Sequence, residues 1–260
     1  MTPLDPPPRP ADVWAVHQPL WALAARGHDL GTRLLVLLAY LVLVGGGYLL
    51  VLRIAEWRGV SAFDSTGAVD RWVPAWPWTV YVYFTLYLWF PLTTALAPRG
   101  LRGIRALLLH LQAEVVLSLA TYPIFLLLPT EITVRREMEE LLGSTAGLTH
   151  ELFEYLYSVD SPWNAWPSLH VSTSLLMLFT CVHFTRVKRD RHRWWRRGRA
   201  DVLFVALAVP AWVALSLSIM TTKQHFFLDV WTGVLAGLLV WIFYLRGRLL
   251  RLEAQPVQNT

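Results

Sequence analysis

The sequence predicts an all-α membrane protein, organised as a bundle of six transmembrane helices. Hydrophobic residues make up 55% of the 260 positions and charged residues only 16%, which is too apolar for a typical soluble domain of this length. In addition, six segments approach the roughly 20 mostly apolar residues that a helix needs to cross a bilayer. These segments cover approximately residues 34–52, 76–97, 104–128, 170–185, 201–220 and 225–245.

The parts of the chain before and after the spans are short. Residues 1–32 begin with a proline-rich stretch, which predicts a flexible tail. They continue with a moderately amphipathic segment around Trp14 and Trp21 that is expected to lie at the membrane interface. Residues 33–246 are expected to form one membrane domain, and residues 247–260 a cytoplasmic tail. The prolines and the lack of an early basic stretch do not fit a cleaved signal peptide.

The fourth span differs from the others because it is short and polar at its start, where Ser172, Thr173 and Ser174 follow one another. Polar side chains at membrane depth are tolerated where they are buried in protein or line a cavity. This end of the fourth span is therefore expected to border a cavity rather than lipid.

The distribution of basic residues predicts on which side of the membrane each loop lies. Of the 23 Lys and Arg residues, 17 lie in the N-terminal segment, around the loop before the third span, in the loop before the fifth span and in the C-terminal tail. By the positive-inside rule, both termini are cytoplasmic, whereas the loop 129–169 and the turn 221–224 lie on the outer face. The plasma membrane is the expected location.

The net charge of +5 comes largely from the loop Arg186–Arg199. This loop, which also holds Trp194 and Trp195, could attract anionic lipid headgroups, although a topology signal suffices to explain it. No nucleic-acid-binding pattern is present, so nucleic acid is not an expected partner. The single cysteine, Cys181, excludes a disulfide within the chain and is expected to serve packing.

The outer loop 129–169 contains two short helical patterns, at Glu137–Leu142 and Leu148–Tyr157. The second pattern carries an apolar stripe formed by Leu152, Phe153 and Leu156. A long loop with helical segments of its own is typical of a lid or an interfacial helix.

Two histidines on the predicted outer face are the candidates for chemistry. His225 and Asp229 are four residues apart, so the carboxylate can accept a hydrogen bond from one imidazole nitrogen and leave the other free to act as a nucleophile. His170 follows Pro167 and Ser168 at the predicted start of a helix, where a serine cap and the helix dipole favour an anion. His170 could then act as a general acid. The simpler alternatives are a structural polar pair and an ordinary helix cap.

Cations near these histidines suggest that the anion is a phosphate. Lys223 lies two residues before His225, and Arg135 and Arg136 lie in the outer loop. Basic side chains of this kind bind phosphate groups. The combination of two histidines, a carboxylate and three cations predicts a site for a phosphate ester.

A competing pair, His110 and Glu114, lies near the middle of the third span. Ionisable residues within a membrane are functional candidates, so a proton path or a metal site is one interpretation. Two ligands on one helix do not complete a metal site, and a buried polar clamp between helices is favoured. No chemistry is assigned to three other histidines, His150, His183 and His192.

The sequence resembles the type 2 phosphatidic acid phosphatase superfamily, the membrane branch that shares its core with vanadium haloperoxidases. The family motif Pro-Ser-x-His matches Pro167, Ser168 and His170, and the motif His-x-x-x-Asp matches His225 and Asp229, with the resemblance extending over residues 34–245. It implies that His225 is a nucleophile forming a phosphohistidine, Asp229 its partner, His170 the acid for the leaving alcohol and Ser168 a phosphate contact. It also implies a lipid phosphate or diphosphate as substrate, and neither a metal nor another cofactor.

Two other family motifs differ from the usual pattern. The first, Lys-x6-Arg-Pro, has only Arg135 and Arg136 as candidate phosphate contacts, and the Ser-Arg pair that usually precedes the nucleophile is replaced by Ser218 and Ile219, so Lys223 could supply the missing cation. This variation resembles the branch that includes inositol phosphorylceramide synthase-like proteins, which implies transfer to an alcohol. The functions considered are therefore a lipid phosphatase, a phosphotransferase and a non-enzymatic transporter or scaffold.

Overall fold

The computed structural model describes residues 7–191 and 199–255, and for residues 189–191 it describes the backbone only. In this part of the chain the regular structure is helical, and the β pairing consists of one isolated antiparallel bridge between Glu131 and Trp163. The predicted all-α class is thus confirmed. The start of the proline-rich tail, most of the basic loop with Trp194 and Trp195, and His192 lie outside the described residues.

The helices are named here in chain order. They are α1 (Gln18–Ala25), α2 (Asp29–Arg58), α3 (Pro77–Leu96), α4 (Leu101–Leu127), α5 (Arg135–Leu142), α6 (Leu148–Val159), α7 (Leu169–Arg191), α8 (Ala200–Thr221) and α9 (Phe227–Ala254). Two of the long helices contain a π-helical turn, at Leu41–Gly46 in α2 and at Trp241–Leu245 in α9.

Five of the described helices, namely α2, α3, α4, α8 and α9, are long and apolar enough to cross a membrane. The chain is therefore an integral membrane protein, but the predicted count of six spans is not confirmed because α7 is not among the five. The residues of α7 explain the difference: Ser172, Thr173, Ser174 and Thr180 are buried against other helices. A helix that faces protein on most sides does not need the apolar surface that a lipid-facing helix needs.

The centre of the bundle is formed by α4 and α7. In the most apolar stretch of α4, 72% of the residues are buried, against 22–33% in the other four candidate spans. The main apolar core joins α4 and α7 to α2, α3 and the end of α9. These two helices therefore form the scaffold around which the lipid-facing helices pack.

The N-terminal segment packs against the bundle from residue 7 onward. The predicted interfacial segment forms α1, and Trp21 donates a hydrogen bond from its indole nitrogen to the Pro7 carbonyl at 2.9 Å. Asp12 accepts two hydrogen bonds from Arg105 of α4, at 3.0 and 2.8 Å. Arg105 also contacts the side chain of Gln255 just after α9. One arginine therefore ties both ends of the described chain to α4.

The two predicted loop helices are confirmed as α5 and α6. The predicted apolar stripe faces inward: Phe153 and Leu156 are fully buried in a second apolar cluster with Met138, Val171 and Ile219. This cluster fixes α5 and α6 over the ends of α7 and α8, so the loop covers the end of the bundle where His170 lies.

Candidate active site

The start of α7 and the turn before α9 bring the two candidate histidines into contact. His170 is the second residue of α7, and its Nδ1 lies 3.2 Å from Nε2 of His225. The two imidazole rings meet edge to face, with centroids 5.4 Å apart. His225 is only 5% exposed. Residues that are 55 positions apart in the sequence therefore form one buried pair.

Glycines on α9 allow this contact because they let α9 approach α7 closely. A Cβ atom added at Gly233 would lie 2.5 Å from the Ser168 carbonyl oxygen, and one added at Gly237 would lie 3.0 Å from the Ser172 carbonyl oxygen. The Ser168 amide also donates to the Asp229 carbonyl at 3.0 Å. The two glycines thus permit close packing of α9 on α7.

Asp229 contacts His225 as the spacing suggested, but His225 is not on the helix. Helix α9 begins at Phe227, because the chain reverses at Lys223, which has a left-handed backbone with φ of 58°. The Asp229 carboxylate accepts the Phe226 amide at 2.8 Å and lies 3.4 Å from Nδ1 of His225. The same oxygen therefore caps the helix and orients the ring, leaving Nε2 to face His170.

Ser168 has the predicted position at the N-terminus of α7. Its hydroxyl oxygen accepts the Val171 amide at 3.4 Å, which is the N-cap geometry. The same hydroxyl lies 3.2 Å from Nε2 of His225. Nε2 of His225 thus faces both the serine hydroxyl and the first turn of α7, whose free amide groups and dipole favour an anion.

Three residues that sequence reasoning missed surround His170. The Tyr83 hydroxyl lies 3.1 Å from Nε2 of His170, and the Asp160 carboxylate lies 3.9 Å from the same nitrogen. Tyr48 donates to that carboxylate at 2.6 Å. An aspartate at the end of a long loop and two tyrosines from other helices carry no spacing relation to His170, so no local pattern could have found them.

Arg135 and Arg136 are adjacent in sequence but lie in different environments. Arg135 is 3% exposed and donates to the Asp160 carbonyl at 2.8 Å and to the Gln224 side chain. Its guanidinium lies over the Tyr157 ring, 4.7 Å from the centroid. Burial raises the pKa of Tyr157 to about 12, although the nearby Arg135 charge opposes this shift. Arg136 is exposed, so Arg135 is the arginine that the fold places beside the histidine pair.

Lys223 is buried and already has partners in the structure. Its ammonium donates to the Val73 carbonyl at 2.8 Å and lies 2.8 Å from the Glu137 carboxylate. These contacts tie the turn before His225 to α5 and to the segment before α3. The expected role of Lys223 as a phosphate contact stays a prediction.

The competing pair, His110 and Glu114, is fully enclosed within the bundle. Its closest contact joins His110 Nε2 to a Glu114 carboxylate oxygen at 3.5 Å, and His110 Nδ1 lies 3.1 Å from the Thr180 hydroxyl on α7. The pair therefore links α4 to α7, as expected for a polar clamp. Within residues 7–191 and 199–255, no group of three or more potential metal ligands occurs.

A cavity of about 530 Å³ extends from His170 toward the lipid-facing surface. Its polar end is lined by His170, Asp160 and Tyr83, and its other end by Leu41 and Val42 at the π turn of α2. Leu41 and Val42 are 47% and 60% exposed. The cavity therefore joins the buried site to the surface that contacts acyl chains, as expected from the polar start of α7.

Fold and site together define an integral membrane protein with a buried histidine pair, one member of which is oriented by a carboxylate. The PAP2 superfamily model matches residues 78–252, which is more than half of the chain, and the protein belongs to the PAP2 superfamily. Neither a curated protein nor a solved structure matches it. Membership supports a phosphatase- or phosphotransferase-type activity on lipid phosphates in general.

Proposed function

We propose that this protein hydrolyses a lipid phosphate or diphosphate ester through a phosphohistidine formed on His225, at the outer face of the plasma membrane. One observation carries the proposal: Nε2 of His225 lies 3.2 Å from both Ser168 Oγ and His170 Nδ1, while its Nδ1 faces Asp229. A nucleophile, its orienting carboxylate and a proton donor are thereby within reach of one phosphate.

In the first step, the lone pair on His225 Nε2 attacks phosphorus as the phosphorus–oxygen bond to the lipid alcohol breaks. Asp229 holds the proton on Nδ1, so that Nε2 is the unprotonated nitrogen, and it balances the positive charge that develops on the ring. His170 Nδ1 gives its proton to the leaving oxygen. Phosphate bound in this way separates the two rings and replaces their direct contact.

The remaining predicted residues are assigned to the phosphate oxygens. Ser168 and the first amide groups of α7 would donate hydrogen bonds to them, and Arg135, Arg136 and Lys223 would supply positive charge. Arg135 is the best placed of the three, since its guanidinium contacts both Asp160 and Gln224, the neighbours of the two histidines. Charge that gathers on the transferring oxygens is stabilised by such groups.

Transfer to an alcohol instead of water is the alternative, and the burial of the site favours it. Ser168 is fully buried and His225 is 5% exposed, so an acceptor that binds in the lipid-facing cavity would reach a phosphohistidine from which bulk water is shielded. The two reactions share the first step and differ in the second.

The test uses the purified full-length protein in detergent without added metal. Phosphate release from a lipid phosphate is measured with and without a lipid alcohol, together with transfer of the phosphoryl group to that alcohol. We expect turnover that falls by at least about 10³-fold in His225→Ala and by about 10²–10⁴-fold in His170→Ala. His150→Ala is the matched control, because His150 lies on α6 beside Glu154 and outside the site.

Each outcome decides between the candidates. Release without an alcohol supports the phosphatase, and transfer with little release supports the transferase. Full turnover in His225→Ala would contradict both, and would favour a transporter or scaffold.

A further inference from the structure

A second cavity, mostly apolar but with charged residues in its lining, lies at the end of the bundle opposite the histidine pair. It has a volume of about 950 Å³, and its charged lining consists of Asp29, Arg33, Arg99 and Lys188. Positions 170 and 188 are both on α7, so a rise of 1.5 Å per residue places Lys188 about 27 Å from His170 along the axis. This is close to the thickness of the hydrocarbon core, about 30 Å. The cavity therefore lies at the other membrane interface.

The charges of this cavity are unequal, with three basic side chains against one carboxylate. The carboxylate of Asp29 is paired with Arg33 at 2.7 Å. Arg33 also donates to the Thr94 and Ala97 carbonyls, at 3.1 and 3.2 Å. Arg33 and Asp29 thus form a structural tie between α2 and the end of α3. Arg99 and Lys188 form no ion pair with another residue whose side chain the structure describes, and their charges are then available to an anion.

The walls of the cavity indicate that this anion carries an apolar chain. Leu30 and Leu34 of α2 line the cavity and are 69% and 55% exposed. Large apolar side chains in this position face the acyl chains of the bilayer. Basic pockets between transmembrane helices near a membrane surface bind the headgroups of anionic lipids.

We propose that this cavity is a binding site for an anionic phospholipid of the leaflet opposite the active site. The headgroup phosphate lies between Arg99 and Lys188, and one acyl chain follows Leu30 and Leu34 along α2. The bound lipid joins α2, α3 and α7 at the end of the bundle where Arg33 already links α2 to the carbonyls at the end of α3. The site is independent of the proposed catalytic function.

The test compares the thermal stability of the full-length protein in neutral detergent with increasing amounts of a short-chain phosphatidylglycerol, a short-chain phosphatidylcholine or inorganic phosphate. We expect phosphatidylglycerol to raise the unfolding temperature in a saturable way, and the other two additions to have little effect. Because one basic residue near a headgroup contributes about fivefold to binding, the double variant Arg99→Gln/Lys188→Gln is expected to need at least about tenfold more phosphatidylglycerol.

The matched control is Arg58→Gln/Arg71→Gln, which removes two cations that lie outside the cavity. An equal response in the two double variants would overturn the proposal. An equal response to inorganic phosphate would also overturn it, since the anion would then need no lipid. If Arg99→Gln/Lys188→Gln fails to fold, Lys188→Gln alone is expected to give a shift of about fivefold, and no shift would contradict the site.

An independent observation concerns Asp160, the second carboxylate beside the histidine pair. Asp160 is 6% exposed, and three groups fix it in place. Tyr48 donates to its carboxylate at 2.6 Å, Arg135 donates to its carbonyl at 2.8 Å, and its amide donates to the Leu156 carbonyl at 2.9 Å. The carboxylate is therefore held at one side of the His170 ring by elements from α2, α5 and α6.

The two nitrogens of His170 have different neighbours. Nε2 faces the Tyr83 hydroxyl at 3.1 Å and the Asp160 carboxylate at 3.9 Å, whereas Nδ1 faces His225. Burial lowers the pKa of His170 to about 4, and the Asp160 carboxylate near Nε2 opposes this shift because it stabilises a positive charge on the ring. A ring protonated at both nitrogens presents Nδ1–H toward the position of the leaving oxygen.

We infer that Asp160 is a positioning residue that makes His170 Nδ1 the proton donor, an inference that rests on the proposed function. When the phosphorus–oxygen bond breaks, the proton moves from Nδ1 to the leaving alkoxide, and His170 is left neutral with its Nε2 proton directed at Asp160 and Tyr83. The next alcohol or water that attacks the phosphohistidine returns its proton to Nδ1.

The test is Asp160→Asn, assayed with two substrates that differ in leaving group. Expulsion of an alkoxide from a lipid phosphate needs a proton donor, and expulsion of p-nitrophenolate from p-nitrophenyl phosphate needs it much less. We expect kcat to fall by about 10²–10³-fold for the lipid phosphate and by less than about tenfold for p-nitrophenyl phosphate. Asp64→Asn, in an exposed loop contact with Thr66, is the matched control.

Equal losses on the two substrates would contradict the positioning role and indicate a structural one. Unchanged turnover on both would contradict it as well. Inactivity of the wild-type protein on both substrates would instead count against the proposed function.

Discussion

Among the described histidine–carboxylate pairs with a spacing of four residues, two are buried, His110–Glu114 and His225–Asp229, and the fold gives them different surroundings. The first pair lies on one continuous helix and is closed in by α7, with Thr180 as the further partner of the ring. The second pair spans the start of α9, and the free nitrogen of its histidine faces another histidine and a serine. Spacing alone therefore does not distinguish the two pairs, whereas the group that faces the second nitrogen of each ring does.

The largest difference between the two pairs is expected when each carboxylate is replaced with its amide. Asp229→Asn is expected to lower kcat by about 10³–10⁴-fold, because an amide no longer selects the tautomer that leaves Nε2 unprotonated. Glu114→Gln, the matched change in the other pair, is expected to leave kcat within about threefold. Phosphate release from a lipid phosphate measures both, and similar losses in the two variants would contradict the distinction.

The next largest effect is expected where α9 approaches α7. Gly233→Ala places a Cβ atom against the Ser168 carbonyl, where the available distance is 2.5 Å. The helices must move apart, and a displacement of about 1 Å between reacting groups costs about 10²-fold in rate. Gly31→Ala, whose Cβ atom meets nothing within 4 Å, is the control for the loss of a helical glycine. Wild-type kcat in Gly233→Ala would show that the histidine contact does not depend on this packing.

The enclosed pair, His110 and Glu114, is expected to contribute to the stability of the protein and not to the rate of the reaction. His110→Ala removes the partner of Thr180 and leaves buried polar groups unpaired, so the free energy of unfolding is expected to fall by about 1–3 kcal/mol. Unfolding of the purified protein in detergent measures this loss, and kcat of the fraction that stays folded is expected to be unchanged. A fall in kcat without a fall in stability would place His110 in the reaction.

The smallest effect is expected from Tyr83→Phe, which removes the hydroxyl 3.1 Å from His170 Nε2 while the ring still packs against His170. Since one neutral hydrogen bond contributes about 0.5–1.5 kcal/mol, kcat is expected to fall by no more than about tenfold. Tyr87→Phe, which alters a tyrosine that lines the same cavity, is the control. A loss as large as that in His170→Ala would mean that Tyr83, rather than His170, delivers the proton.

Local sequence patterns were sufficient to predict those contacts of the site that join residues close in sequence. The Pro167, Ser168 and His170 motif predicted the cap at the start of α7, and the spacing of His225 and Asp229 predicted their contact. The loop helices were predicted for the same reason, since an apolar stripe repeats within one or two turns. The last span was predicted to start at residue 225, but α9 starts at Phe227. The difference arises because no local sequence pattern predicts the left-handed backbone at Lys223.

The sequence by itself determined the helical class and the integral membrane character, and it singled out the two candidate histidines, because composition, span length and short motifs are local properties. Only the tertiary structure decided the depth of α7 in the bundle, the choice of Arg135 over Arg136 as the buried arginine, and the presence of Asp160 and Tyr83 beside His170. These features depend on how α2, α3, α5 and α7 pack against one another. A side chain contributed by a distant helix leaves no periodic signal near the residue it contacts.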